Sequence, residues 1–302
     1  MTILEAISDP NLFQPLLREF ASWQAWAVWL KAVFALPMTA AEQDLYVRCT
    51  NRQQPPTTEP TEVFTIVGRR GGKSFVAALT AVYLACFKDY RQFLSPGERA
   101  IIMLLAHDRN QAGVIFRYIL GILRSVLLLA QMIAAERAEE IDLINSVTIS
   151  VYTASFRTTR GVTIAAALCD ELAYWSVEGV NPAKEILTAL RPAMVTIPGA
   201  KLLCLSSPYA RTGVLYDTYR QHFGQEDDIL VWQAPSTTMN PTIPQAFIAR
   251  EIERDPQAAR SEWGAEFRED LETAFPVDVI RSLCHPWPWD VATSRRVLPG
   301  VC

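Results

Sequence analysis

At 302 residues the chain can bury a large core, as one large or two modest domains, and a composition half hydrophobic and one-fifth charged excludes a disordered protein. A net charge of −4 excludes a surface coated uniformly in basic groups but is compatible with a local basic patch. The six cysteines form no C-x-x-C pair and have no histidine at ligand spacing; three lie within apolar runs and read as small buried hydrophobes, and a reduced, intracellular compartment fits best.

The first residues, Met1 to Asp9, lack a basic n-region and predict no secretory signal. Helical periodicity then dominates Leu12 to Phe34, with Trp23, Trp26 and Trp29 close together, and the proline-rich stretch Thr50 to Thr61 reads as a loop. Beyond it, strand-like and helix-like runs alternate. The strand-like runs are Val63–Val67, Ala100–Leu105, Ser146–Tyr152, Ile164–Cys169 and Lys201–Leu205. The helix-like runs are Ser74–Phe87, Arg109–Met132, Ala183–Leu190 and Gly213–Phe223. Short apolar strands separated by helices predict an α/β fold with a mostly parallel sheet flanked by helices on both faces, binding its ligand at the carboxyl ends of the strands. The most apolar stretch, Tyr118 to Ala135, is interrupted by Arg124, Ser125 and Gln131, which suits a buried or amphipathic helix better than a membrane span. From Thr242 onward the pattern changes to a charged helix, Gln245–Glu269, and then to a Pro/Trp-rich tail around His285 to Asp290.

Three strand ends carry chemistry. Val63 to Val67 runs into Gly68-Arg-Arg-Gly-Gly-Lys-Ser74, a strand delivering a glycine-rich loop to a helix. Glycines let backbone N–H groups approach phosphate oxygens, and the helix N-terminus adds positive potential. Lys73 would reach the β- and γ-phosphates of a nucleoside triphosphate, and the Ser74 hydroxyl would ligate Mg²⁺. The common pattern wants glycine where Val67 stands, and the bland alternative is a glycine-rich turn with a solvated lysine. The run Ile164 to Cys169 ends in Asp170 and Glu171, a pair suited to a metal-holding acid and a water-polarising base, or to a solvated acidic turn. Leu202 to Leu205 ends in Ser206-Ser207-Pro208, where the hydroxyls can sense a γ-phosphate or simply make a serine turn. Arg69 and Arg70, inside the loop, can stabilise charge on a transferred phosphoryl group. Arg160, on a segment before the acidic strand, can reach a neighbouring subunit's nucleotide as a finger, whereas Arg157 reads as a surface charge.

Together these segments resemble the large terminase subunit of tailed bacteriophages, the ATP-driven motors that package DNA. The resemblance runs from about Phe20 to Phe275. Family phosphate loops often read Gly/Ser-Arg-Arg/Gln-x-Gly-Lys-Ser/Thr, a variant that Gly68 to Ser74 follows closely. The resemblance implies a P-loop (RecA/ASCE-like) fold with Walker A and Walker B motifs, and Asp170-Glu171 and Leu205 to Pro208 match the family's acidic pair and coupling strand. Trp23-Gln24 is similar to the family's adenine-recognising pair, in which the amide of Gln24 reads the base; an inward-packed Trp on an amphipathic helix is the alternative. Ala106 to Ala112 resembles the segment after the second strand of these motors and of related helicases. Glu262 to Phe267 and then Phe275 resemble the helix that closes the ATPase domain.

On that resemblance residues 1–60 are a helical N-terminal segment and loop, 61–275 the ATPase core, and 276–302 a linker tail towards a nuclease domain. Asp278 and Asp290 read as linker charges, so no nuclease activity is expected. The implied cofactors are ATP and Mg²⁺. The implied partners are double-stranded DNA, a portal protein, a small terminase subunit and further copies in a ring, in the host cytoplasm and with no membrane. Catalysis falls to Glu171, Lys73, Arg69 and Arg160; phosphate and base contacts fall to Gln24, Gly68, Arg69, Arg70, Gly71, Gly72, Lys73, Ser74, Ser206 and Ser207; the metal falls to Ser74 and Asp170. The alternatives are a helicase-like DNA-dependent ATPase and a non-hydrolysing terminase remnant that binds nucleotide or DNA. A helicase would need a second RecA-like domain, for which the chain after Glu253 has neither length nor pattern.

Overall fold

The computed structural model describes residues 1–17, 20–107, 109–153, 161–175, 182–268, 289–290 and 295–296. It divides the chain into two units, residues 1–268 and 269–302. The first unit opens with helix α1 (Ile3–Ser8), started by a capping box between Thr2 and Glu5. Two 3-10 turns follow, the first containing Pro15, so the helical periodicity that begins at Leu12 becomes regular only in α2 (Gln24–Val33). Helix α3 (Ala40–Thr50) begins with a second capping box, Thr39 with Glu42.

Strand β1 (Glu62–Val67) is buried at every position after its first. Helix α4 (Lys73–Phe87) is buried along most of its length, as expected of a helix apolar nearly all round. After β2 (Ala100–Ala106) comes α5 (Arg109–Ser125). It is shorter than the expected Arg109–Met132: the Ser125 hydroxyl donates to the Gly121 carbonyl at 2.6 Å, Val126 turns extended, and only the single turn α6 (Leu127–Ala130) continues. The chain then forms β3 (Ile133–Arg137), β4 (Glu140–Leu143) and β5 (Val147–Thr153), an antiparallel run of which only β5 was legible beforehand.

Next come β6 (Thr163–Asp170), α7 (Pro182–Met194), β7 (Lys201–Ser206), α8 (Gly213–His222) and β8 (Ile229–Ala234). A short helix α9 (Ser236–Met239) precedes α10 (Gln245–Arg254) and α11 (Pro256–Glu262). The expected single helix Gln245–Glu269 is broken because Pro256 has no N–H to donate. Asp255 turns extended there and caps α11 by accepting the Ala258 N–H at 3.0 Å.

The eight strands of the first unit form one sheet in the order β3-β4-β5-β2-β6-β7-β1-β8, parallel from β5 to β8. Its strands read as near-continuous apolar runs because helices cover both faces. Strand β7 lies between β6 and β1, with Leu205 opposite Asp170 and Ser206 opposite Ile66. The acidic pair, the two serines and the glycine-rich loop therefore leave the sheet side by side at one edge. In the second unit β9 (Trp289–Asp290) pairs antiparallel with β10 (Arg295–Arg296), placing Asp290 opposite Arg295; Phe275 and Asp278 lie outside the described residues.

Candidate active site

The loop between β1 and α4 turns through left-handed backbone at Arg70 (φ +60°) and Gly72 (φ +94°), the latter being the residue before the first turn of α4. At Gly72 a side chain would be strained. At Gly68 the constraint is space, since a Cβ would lie 2.3 Å from Ser236 Oγ, 2.7 Å from the Glu262 carbonyl oxygen and 2.9 Å from that of Trp263. Two of these neighbours are backbone and cannot rotate away. Gly68→Ala is therefore expected to destabilise the chain by about 1–3 kcal/mol, read from the urea midpoint. An unchanged midpoint would mean that the segment from 236 to 263 does not pack on the loop in solution.

Both ends of the first unit hold this loop. From α2, the indole N–H of Trp26 donates to the Gly71 carbonyl at 2.8 Å and that of Trp29 to Thr65 Oγ at 2.9 Å. The two rings meet edge to face at 5.4 Å. From the other end, Ser236 Oγ donates to the Arg69 carbonyl (2.7 Å) and Asn240 Nδ2 to the Arg70 carbonyl (2.9 Å). The Arg69 N–H donates to the Glu262 carbonyl at 2.6 Å, and the Arg69 guanidinium sits 3.4 Å from the Glu262 carboxylate and bonds the Tyr174 hydroxyl. Buried indoles need a partner for their N–H, and a cluster of three tryptophans just before a phosphate loop was the signal that could have found Trp26. Nothing short-range in the sequence points to Ser236 or Asn240.

Lys73 is 6% exposed, and its ammonium donates to the carbonyls of Val67 (2.8 Å) and Gly68 (3.3 Å) and to Ser207 Oγ (2.9 Å). Burial pushes its pKa down, and the charges of Glu171 and Asp170 oppose that shift. Glu171 has left-handed backbone (φ +50°), which turns its side chain back over the sheet edge. Its Oε2 accepts the Ser207 N–H at 2.9 Å and lies 3.2 Å from Ser206 Oγ, while Oε1 lies 3.7 Å from Lys73 Nζ. The Ser206 hydroxyl has one proton to give and two acceptors, Glu171 and the Ser207 carbonyl at 2.8 Å. The carboxylate is thus held by three groups, the Ser206 hydroxyl, the Ser207 N–H and the Lys73 ammonium.

Asp170 is 7% exposed, and its Oδ1 is buried with no hydrogen-bond partner. Burial first, and the neighbouring Glu171 charge second, raise its pKa to about 7, against the lowering effect of Lys73. The folded chain then holds this proton to higher pH than the unfolded chain. The resulting stability is complete below the ordinary value of 3.8 and is lost as the pH rises through about 7. In metal-free buffer Asp170→Asn is expected to exceed the wild type in stability at pH 8, by up to about 4 kcal/mol. The gap should close towards pH 4; urea titrations at the two pH values that show the same gap would refute the assignment.

An orphaned, buried carboxylate oxygen is what a divalent cation would satisfy, so the residues present suit Mg²⁺. Among the described residues no group of three or more His, Cys, Asp or Glu is placed to hold a metal. A cation at Asp170 and Ser74 would accordingly share its shell with phosphate oxygens and water, the usual habit of Mg²⁺.

The loop borders a cavity of about 570 Å³. Arg69, Arg70, Gly71, Gly72, Lys73 and Ser74 line it, as do Glu171 and Ser207 from the neighbouring strand ends. The structure thus brings most of the expected residues together. Gly68 and Ser206 stand just behind this lining, Gly68 under the segment from 236 to 263 and Ser206 on Glu171. Gln24 is exposed at the start of α2 and is not in the lining, and Arg160 and Arg157 lie outside the described residues. Tyr174 from β6's following turn, and His107, Gln111, Val114 and Tyr118 from the segment after β2, complete the wall.

A family model described as the N-terminal P-loop domain of the uncharacterized protein MJ0330 matches residues 37–264. Among solved structures, the large terminase ATPase domain of Thermus phage P74-26 is similar with a TM-score of 0.56 at 14% identity, covering 79% of this chain and 97% of that one. The large terminase of bacteriophage HK97 is similar with a TM-score of 0.55 at 15% identity, covering 77% of this chain and 51% of that one. At such identities the likeness establishes a shared P-loop ATPase fold and nothing finer. No curated protein matches the chain significantly in sequence. Among the described residues no helix is long and apolar enough to cross a membrane.

Proposed function

Since the chain belongs to the family of the MJ0330 N-terminal P-loop domain, we propose that it hydrolyses ATP and is the motor subunit of a phage terminase that drives double-stranded DNA into a procapsid. One observation carries the catalytic part. Lys73, Glu171 and Ser207, from three adjacent strand ends, converge on the cavity beside a glycine loop that opens a buried helix, with the buried Asp170 directly before Glu171 on its strand. A structural lysine and a solvated acidic turn would not need to meet.

In this site the N–H groups of the loop and the first turn of α4 bind the phosphate chain. Lys73 exchanges one of its loop carbonyls for a phosphate oxygen and carries a point charge to it. Glu171, held by Ser206 and Ser207, takes the proton of the attacking water while that water's oxygen bonds to the γ-phosphorus and ADP leaves. Arg69, 56% exposed at its side chain, would exchange its contacts with Glu262 and Tyr174 for the developing negative charge. Mg²⁺, held by Asp170 and Ser74, supplies charge neutralisation when bound. Most of the rate enhancement is positioning and electrostatics.

The packaging part rests on the fold shared with the Thermus phage P74-26 and HK97 proteins together with the residues quoted above. It implies a ring of copies on a portal, a small terminase partner and duplex DNA in the host cytoplasm. Steady-state ATP hydrolysis with and without linear duplex DNA tests it, with several-fold stimulation expected. Bound ATP without turnover would favour a non-hydrolysing remnant, and separation of a short duplex would favour a helicase.

A further inference from the structure

The cavity at the phosphate loop is lined by polar groups, among them loop backbone, Lys73, Glu171 and Ser207, and by the apolar side chains of Phe75, Val114 and Tyr118, with Gln111 on the same helix as the last two. Val114 and Tyr118 are one turn apart on α5 and so share a helix face. They are 38% and 44% exposed, so both remain accessible to a ligand in the cavity they line. Phe75 meets Tyr118 edge to face at 5.6 Å and packs on Trp23 at 5.2 Å, which anchors Tyr118 from one side without covering it.

Position along the ligand adds a second argument. A triphosphate whose last phosphorus faces Glu171 and Ser207 runs back along the loop N–H groups to the first turn of α4. Phe75 directly follows Ser74, so the phosphate chain ends and the organic part of the ligand begins beside this wall. We infer that Phe75, Val114 and Tyr118 form the nucleobase subsite, taking the flat heterocycle of a nucleoside triphosphate by stacking on Tyr118, and that Gln24 does not read the base. A nucleobase offers the apolar faces that such a wall accepts. Gln24 is exposed and absent from the cavity lining.

The subsite rests on the loop being a phosphate site, and two ligands keep the claims apart. ATP carries the base and inorganic tripolyphosphate does not. Calorimetric titration of the full chain with each ligand compares wild type, Tyr118→Ala, Tyr118→Phe and Gln24→Ala. Tyr118→Ala is expected to weaken ATP by at least about 5-fold and to leave tripolyphosphate unchanged. Tyr118→Phe, which keeps the ring, and Gln24→Ala should bind both ligands like wild type; circular dichroism checks that each variant is folded. Unchanged ATP affinity in Tyr118→Ala, equal weakening of both ligands, or loss of ATP alone in Gln24→Ala would each overturn the subsite. A wild-type chain that binds neither ligand overturns the phosphate site itself, whereas one that binds tripolyphosphate as tightly as ATP overturns only the base contact.

Discussion

Glu171→Gln is expected to lower ATP turnover by about 10²- to 10⁴-fold, the usual contribution of a positioned general base, while ATP binding stays within a few-fold of wild type. The substitution preserves volume and shape. The amide oxygen can still accept the Ser207 N–H now made to Oε2 at 2.9 Å, so the chain around it has no reason to move. What disappears is the ability to take a proton and the negative charge 3.7 Å from Lys73. Turnover from single-turnover kinetics and affinity from equilibrium titration separate the two effects. Near-normal turnover in the variant would place the base elsewhere and leave Glu171 a structural partner of β7.

Lys73→Ala is expected to cost binding instead, weakening ATP and tripolyphosphate alike by about 10²-fold. One charge-assisted contact to phosphate is worth roughly 1.5–3 kcal/mol, and loss of the ammonium also leaves Glu171 unopposed near the incoming polyanion. The fold should survive. The buried ammonium is disfavoured where it stands, as its lowered pKa records, and Glu171 keeps its bonds to Ser206 and Ser207. Water from the adjoining cavity can reach the carbonyls of Val67 and Gly68 that the ammonium leaves behind. Titration of both ligands, with a urea curve beside it, distinguishes a lost contact from a lost fold. An affinity that survives the substitution would mean that the loop does not bind phosphate through this residue.

The parts of the fold that could be read in advance were those whose physics is local. Strands β1, β2, β5, β6 and β7 are apolar runs because both their faces are covered, and the motif residues follow directly where those runs stop. That was enough to bring Gly68 to Ser74, Asp170, Glu171 and Ser206-Ser207 to one edge. Strand β8 is just as apolar, but it follows the acidic stretch Glu226 to Asp228 and carries no motif to draw attention. Strands β3 and β4 are five and four residues long, β3 is largely exposed, and both sit where helical periodicity fades gradually after Ser125. The helix break at Asp255-Pro256 was visible in the residues themselves.

The candidate site divides the same way. Its chemistry lies in contiguous motifs, while its supports do not. Trp26 reaches Gly71 across 45 residues, Ser236 reaches Arg69 across 167, and Asn240 reaches Arg70 across 170. Ser236 and Asn240 are common residue types whose role exists only once the chain is folded, whereas Trp26 at least stands in a tryptophan cluster. Gln24, singled out by pattern, stands exposed at the start of α2, next to Trp23, which packs on Phe75.

Those long spans impose an order of assembly. The glycine loop and Lys73 emerge from the ribosome early, yet the hydroxyl, amide and carbonyl that fix the loop's own carbonyls and N–H arrive only with Ser236, Asn240 and Glu262. Until then the loop has Trp26 on one side and nothing on the other, and the entropy of closing so large a span is still outstanding. A nascent chain therefore carries the whole phosphate motif for most of its synthesis without a finished place to put a nucleotide. The capacity to bind ATP is in this sense a property of completion: the motif near the start of the chain becomes a site only when the last helices of the first unit have closed over it.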